Sequence, residues 1–290
     1  PYTTLFRSGT RIFYQTNFLL DNFDNTKPLL VFNYGLVCSN SHWKFQIPFF
    51  ESIGFNILLH DYRAHFASSG QDDIKACTFD NITSDLQEII TQLDAKNIIM
   101  LGHSMGVNVT LEYAKKFPEN LSGIVLISGS VFPPHDVMFD SNLMDLISPA
   151  IKWASSNYSD IYEKVWKTQY LNPVARKFIH HGGFNVKQVE EDFIQLYMKK
   201  IGELPKDIFL HLLEEMKNHD IINHLEMIKT PSLIIGGDKD KVIPNHLQQI
   251  LKKYLENSQL YIVKDGSHVP QVDFPEFLNE RIEAFIDNII

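Results

Sequence analysis

The stretch NIIMLGHSMGVNVTLEYAKKF, residues 97–117, decides the fold. Its first part, Asn97–His103 (NIIMLGH), is a continuous apolar run of strand length; its last part, Met105–Phe117, has helical spacing. Between them stands Gly102-His103-Ser104-Met105-Gly106. A Gly-x-Ser-x-Gly on its own is common by chance. Between a buried strand and a helix it acquires a physical reason. The turn holds the serine in a strained backbone conformation, so its neighbours must be small, and Gly102 and Gly106 leave that room. It also lifts the hydroxyl above the sheet at a helix N-terminus, where the dipole favours developing negative charge. Ser104 is therefore the candidate nucleophile.

Working outward, the same alternation continues on both sides. Thr4–Arg7 and Arg11–Phe18 read as strands joined at Gly9-Thr10. Pro28–Tyr34 (PLLVFNY), Asn56–Tyr62 (NILLHDY) and Gly123–Gly129 (GIVLISG) are further apolar strands, separated by helices over Ser41–Ile53 and Thr83–Leu93. Apolar runs alternating with helices predict a mostly parallel twisted sheet covered by helices on both faces. From about Val131 to Leu225 the strand signal stops, and the chain reads as aromatic-rich helices punctuated by Pro149, Pro173, Gly182-Gly183 and Pro205. The alternation then resumes with Pro231–Gly237, His246–Glu256, Gln259–Asp265 and Phe274–Ile289. The expected organisation is an α/β core from 1–130 and 226–290, with 131–225 inserted as a helical cap over the carboxyl ends of the strands, where open sheets bind ligands.

Composition fits this plan. The 290 residues are 44% hydrophobic and 21% charged, enough for a large core and too apolar for disorder. The net charge of −9 speaks against a nucleic-acid partner, which needs a basic face. No run approaches the roughly 20 apolar residues of a membrane helix. Residues 1–11 lack a basic region followed by an apolar core, so no signal peptide is expected and the cytoplasm is the default location. Cys38 and Cys77 have no close spacing and read as buried thiols.

A serine hydroxyl needs a base. Among 12 histidines, His268 stands apart: it follows the strand Gln259–Asp265 in Gly266-Ser267-His268, on a loop that can reach the rim carrying Ser104. His103 adjoins Ser104 and is expected to point away from it. His42, His135, His180, His181, His211, His219 and His224 fall on helices or cap loops and are expected mostly at the surface. The imidazole in turn needs a carboxylate to fix its tautomer. Asp238 and Asp240 both follow the strand Pro231–Gly237, and the order serine, acid, histidine holds with either. Asp136, after Gly123–Gly129, is a third candidate.

These motifs in this order resemble the α/β-hydrolase superfamily, in its esterase and lactonase-like branch with a helical cap. The resemblance covers nearly all of the chain outside the cap. It implies that the acid lies in a Gly-x-x-Asp-x-x-x-Pro pattern, which Gly237 through Asp240 with Pro244 matches, and so selects Asp240. Gly266-Ser267-His268 before Pro270 matches the family's final histidine. An oxyanion hole of two backbone N–H groups should complete the site. Met105 supplies one, as the residue after the nucleophile. The loop after Pro28–Tyr34 should supply the other, and by position that is Leu36. Family members often carry His-Gly there; this chain has Tyr34-Gly35, with the tyrosine expected to pack. A second departure is Asp61-Tyr62-Arg63-Ala64-His65-Phe66, where the family has glycines at the positions of Ala64 and Phe66, which suggests a locally altered loop.

The resemblance implies cleavage of a carboxylic ester, thioester or lactone through an acyl-enzyme, with no cofactor and no metal. The same triad serves amide cleavage, acyl transfer, peracid formation and cyanohydrin (lyase) chemistry elsewhere, because substrate choice lies outside the triad. A non-catalytic receptor is the alternative of another class, and the intact Ser104, Asp240 and His268 argue against it. The partner expected is a small molecule with an acyl group; the oligomeric state is unknown. Phe132, Trp153, Tyr158, Trp166, Tyr170, Phe184 and Tyr197 are candidates to line its pocket, with fewer than half expected to face it. His180-His181 lacks the further spaced ligands that a metal site needs.

Overall fold

A computed structural model describes residues 2–5, 9–132, 143–185 and 187–290. Its eight strands are β1 (Tyr2–Leu5), β2 (Arg11–Thr16), β3 (Leu29–Asn33), β4 (Asn56–His60), β5 (Ile98–His103), β6 (Leu121–Ile127), β7 (Ser232–Gly237) and β8 (Ser258–Val263). They form one sheet in the order β1-β2-β4-β3-β5-β6-β7-β8. The first two strands pair antiparallel; from β4 to β8 every pairing is parallel.

Both faces of the sheet are buried at its central strands β3, β5, β6 and β7, which is why these read as unbroken apolar runs. On one face Leu29, Val31, Met100, Leu126 and Ile234 pack against Leu86, Ile89, Leu111 and Leu251. These last come from α2 (Phe79–Gln92), α3 (Met105–Lys116) and, for Leu251, the helix His246–Tyr254. On the other face Leu30, Phe32, Ile99, Leu101 and Ile235 pack against Phe50 and against Leu278, Ile282 and Phe285. Phe50 belongs to α1 (Gln46–Ser52), and the other three to the last helix, Pro275–Ile289. Along the chain β3 is followed by β4 on one side and β5 on the other, so the crevice beyond the ends of β3 and β5 is the ligand position that such topology favours.

The helix expected over Ser41–Ile53 is broken into a 3-10 turn, Asn40–Trp43, and α1. Pro48 is the reason: without an N–H it is tolerated only in a first turn, so the helix starts two residues before it. Between β6 and β7 the described residues contain no strand. They form α4 (Leu143–Asn157), α5 (Ser159–Thr168), α6 (Pro173–Gly183), α7 (Glu191–Gly202) and α8 (Ile208–Asn218). α8 seats Ile208, Leu212 and Met216 among Tyr62, Phe79, Met105 and Val109 of the sheet-bearing part, whereas α5 has no buried residue.

Candidate active site

Ser104 stands between β5 and α3 with φ 54 and ψ −121, a left-handed conformation that costs a side-chain-bearing residue of order 1–3 kcal/mol. The glycines around it answer to close approach. A Cβ on Gly102 would stand 2.5 Å from Thr110 Oγ1, and one on Gly106 would collide with the Asn33 carbonyl oxygen. β3 and the start of α3 are thereby pressed together, and Ser104 N–H donates to the Ile127 carbonyl at 2.9 Å.

The structure brings three of the predicted side chains into one line. Ser104 Oγ lies 3.0 Å from His268 Nε2, and His268 Nδ1 lies 2.9 Å from Asp240 Oδ2. A carboxylate only accepts, so Nδ1 carries the proton and Nε2 is left to accept from Ser104. Asp240 is held by its other oxygen: Oδ1 accepts the N–H groups of Val242 and Ile243, each at 2.8 Å. His268 is fixed from both sides. Ser267 N–H donates to Asp273 Oδ2 at 2.6 Å, and the His268 carbonyl accepts from His103 Nε2 at 2.9 Å. Burial raises the Asp273 carboxyl above its ordinary range, and the bonds from Ser267 oppose that rise.

The other candidates fall elsewhere. Asp238 sits 3.7 Å from Lys239 Nζ with a partly exposed side chain. Asp136 and His135 lie outside the described residues, as do the side chains of His180 and His181. Leu36 shares the cavity wall with Ser104, and a Cβ on the preceding Gly35 would stand 3.0 Å from Ser104 Cβ. Met105 is the first residue of α3, whose opening N–H groups have no partner within the helix. Tyr34 is turned away from the cavity. Its hydroxyl accepts from Tyr62 N–H and its carbonyl accepts from the Tyr62 hydroxyl, both at 2.9 Å. Ala64 and Phe66 stand at φ 59 and 43. The loop has lost its glycines and kept the left-handed backbone that glycine favours.

A cavity of about 160 Å³ opens beside Ser104. Of the seven aromatics singled out, Phe184 and Tyr197 line it, together with Phe209, Ile179 and Met216 of the helical segment. Trp153 and Tyr158 are exposed, and Trp166 Nε1 donates to the Leu204 carbonyl. Two expectations of surface histidines are corrected: the side chain of His219 is 7% exposed and His42 is 1% exposed. His42 and His103 both stand in the cavity wall. Their rings stack at 5.9 Å, and His103 lies 5.1 Å from His268. The aromatic company of His42, beside Trp43, was the available signal for its burial. Cys38, also in the cavity wall, and Cys77 are free thiols, both pushed up to about 12 by burial. Among the described residues no group of three or more His, Cys, Asp or Glu could hold a metal ion, and no helix is long and apolar enough to cross a membrane.

Known proteins share this arrangement of chain. A family profile described as alpha/beta hydrolase fold matches residues 28–275. Protein ABHD8 of Mus musculus is 24% identical over 264 residues, covering 89% of this chain and 55% of the relative, so the chain spans about half of that relative's length. A proline iminopeptidase of Saccharolobus solfataricus is 25% identical over 243 residues, with 81% of this chain and 77% of the relative covered. An esterase from Exiguobacterium antarcticum superposes with a TM-score of 0.78 at 18% identity over 98% of both chains, a likeness of fold.

Proposed function

This chain belongs to the alpha/beta hydrolase fold family, and from that premise we propose that it is a serine hydrolase acting on a small carboxylic ester, thioester or lactone. The observation that carries the reading is the unbroken line from Ser104 Oγ through His268 to Asp240, opening on a cavity. His268 Nε2 takes the Ser104 proton as the hydroxyl oxygen attacks the carbonyl carbon, and Asp240 stabilises the imidazolium that results. The N–H groups of Met105 and Leu36 receive the oxyanion. As the intermediate collapses, His268 returns the proton to the leaving alkoxide, and water then frees the acyl group by the same route. The helices between residues 143 and 218 act as a cap, because α6, α7 and α8 contribute wall residues to the cavity.

The test is a fluorophosphonate label followed by a panel of short ester, thioester, lactone and amide substrates. The amide is included because one similar protein is a peptidase. The adduct is expected on Ser104, and Ser104→Ala should lose about 10⁴- to 10⁶-fold in turnover. Turnover that survives in Ser104→Ala, with the label on another residue, would sink the mechanism.

A further inference from the structure

Val37 stands at φ 48, in the left-handed region that a β-branched side chain seldom enters. It is the third residue of the turn that Cys38 N–H closes onto the Gly35 carbonyl at 3.1 Å, a place where a positive φ ordinarily calls for glycine. Packing holds it there. Val37 is 5% exposed and belongs to the apolar cluster that contains Met105 of α3 and Met216 of α8. Leu36 and Phe209 pack against the same cluster, and all of these except Met105 also line the cavity. That wall is therefore the place where the loop after β3 meets α8. It also lies close to the chemistry. The residue before Val37 is Leu36, whose N–H is proposed for the oxyanion. A cavity of about 160 Å³ has no distant end, since one of about 150 Å³ is filled by benzene. A group held in it keeps every carbon within a few bonds of the reacting carbonyl.

We propose that Val37 is a specificity-determining residue, a role that rests on Ser104 being the nucleophile. Its two methyl groups narrow the cavity beside the carbonyl, so the protein takes short esters whose carbon chain is unbranched where it joins the ester group. The acyl chain and the alcohol chain both begin at that group, so the restriction holds whichever of them the cavity receives. Branching adds a methyl group where the wall is already filled, and a close-packed wall yields to an added methyl only with strain. Val37→Ala removes both methyl groups and keeps the Cβ. Val37→Gly removes the whole side chain, and glycine takes the left-handed conformation without strain, which offsets part of the packing given up.

The experiment measures kcat/KM for two pairs of isomers. 4-Nitrophenyl butanoate and 4-nitrophenyl 2-methylpropanoate differ by branching on the acyl side; butyl acetate and 1-methylpropyl acetate differ by branching on the alcohol side. Beyond the ratio of their rates with hydroxide alone, the unaltered protein should prefer the unbranched isomer by about ten- to hundredfold in at least one pair, the worth of one misplaced methyl group. In that pair the preference should fall in Val37→Ala and fall by about tenfold or more in Val37→Gly. As a ratio within each protein it is insensitive to a general loss of activity or to the fraction folded. No preference in either pair, or a preference that both variants keep in full, would overturn this inference alone. Phosphonylation of Ser104 without turnover of either pair would do the same. No turnover together with no phosphonylation of Ser104 would overturn the hydrolase reading and this inference with it.

Discussion

Asp240 shows how one carboxylate is made to serve a histidine. Its Oδ1 is committed to the N–H groups of Val242 and Ile243, which leaves Oδ2 aimed at His268 Nδ1. Asp238, two residues earlier, has no such clamp and stands near Lys239. The difference follows from where the backbone turns after β7, so residue types alone left both aspartates open, and the Pro244 spacing was needed to choose. Asp240→Asn tests the assignment sharply. The Asn oxygen would keep the two backbone donors, so its NH₂ would face His268. A donor facing Nδ1 favours the tautomer with the proton on Nε2, which cannot accept from Ser104. Turnover should fall by about 10⁴-fold, with the melting temperature changed little, while Asp238→Asn should stay within about twofold. Equal losses in the two variants, read from kcat and thermal melts, would remove Asp240 from the proposed role.

The elements were legible where burial is two-sided. β3, β5, β6 and β7 are buried along nearly their whole length, so their apolar runs marked them in the sequence. Less legible was the loop after β4, where lost glycines suggested a different path. What supports the left-handed turn at Ala64 and Phe66 is a set of bonds closed within the loop, Ala64 N–H to the Ser69 carbonyl and Ser68 Oγ to the Asp61 carbonyl, and one tie to α2, the pairing of Arg63 with Asp85. The glycine pattern does not encode those contacts. Asp61 also carries a pH dependence. Burial raises its carboxyl from 3.8 to about 6, and the Ala67 N–H and Lys200 offset this only in part. The fold therefore binds a proton that the unfolded chain has released between those two values. The stability that the neutral carboxyl allows is intact below pH 3.8 and declines as the pH rises through about 6. At pH 7 the buried charge costs up to about 3 kcal/mol. Asp61→Asn keeps an acceptor for Ala67 and removes the charge, so its melting temperature should exceed that of the parent by several degrees at pH 7 and by little at pH 4. An equal gain at both pH values, or a loss at pH 7, would show that the charge is not the cause.

Across the whole molecule the sheet and the helical segment meet unevenly. α8 lies at the seam. Phe79 N–H donates to Glu215 Oε1 at 2.9 Å, and His211 Nε2 donates to the Cys77 carbonyl at 3.0 Å. Just past α8, His219 Nε2 donates to Glu112 Oε2 of α3 at 3.0 Å, and Asn108 Nδ2 lies 3.1 Å from His219 Nδ1. Burial pushes the Glu112 carboxyl up, yet His219 and Lys115 outweigh it and bring it down to about 2. α5 has no comparable hold: Ile161 and Val165 are 64% and 59% exposed. The histidine spacing did not announce this seam, since His219 reads as a surface residue until α3 is placed beside it. His219→Ala should cost about 1–3 kcal/mol, because it strips a hydrogen bond from a buried carboxylate that keeps only Lys115. Ile161→Ala should stay within about 0.5 kcal/mol, as exposed substitutions do. Denaturant unfolding measures both costs, and hydrogen exchange locates the first. In His219→Ala the amides of α8 should exchange faster while those of β5 and β6 hold their protection, because the loss falls on the seam and not on the sheet. A neutral His219→Ala, or a loss of protection spread evenly through the strands, would mean that the helices are held by apolar packing alone.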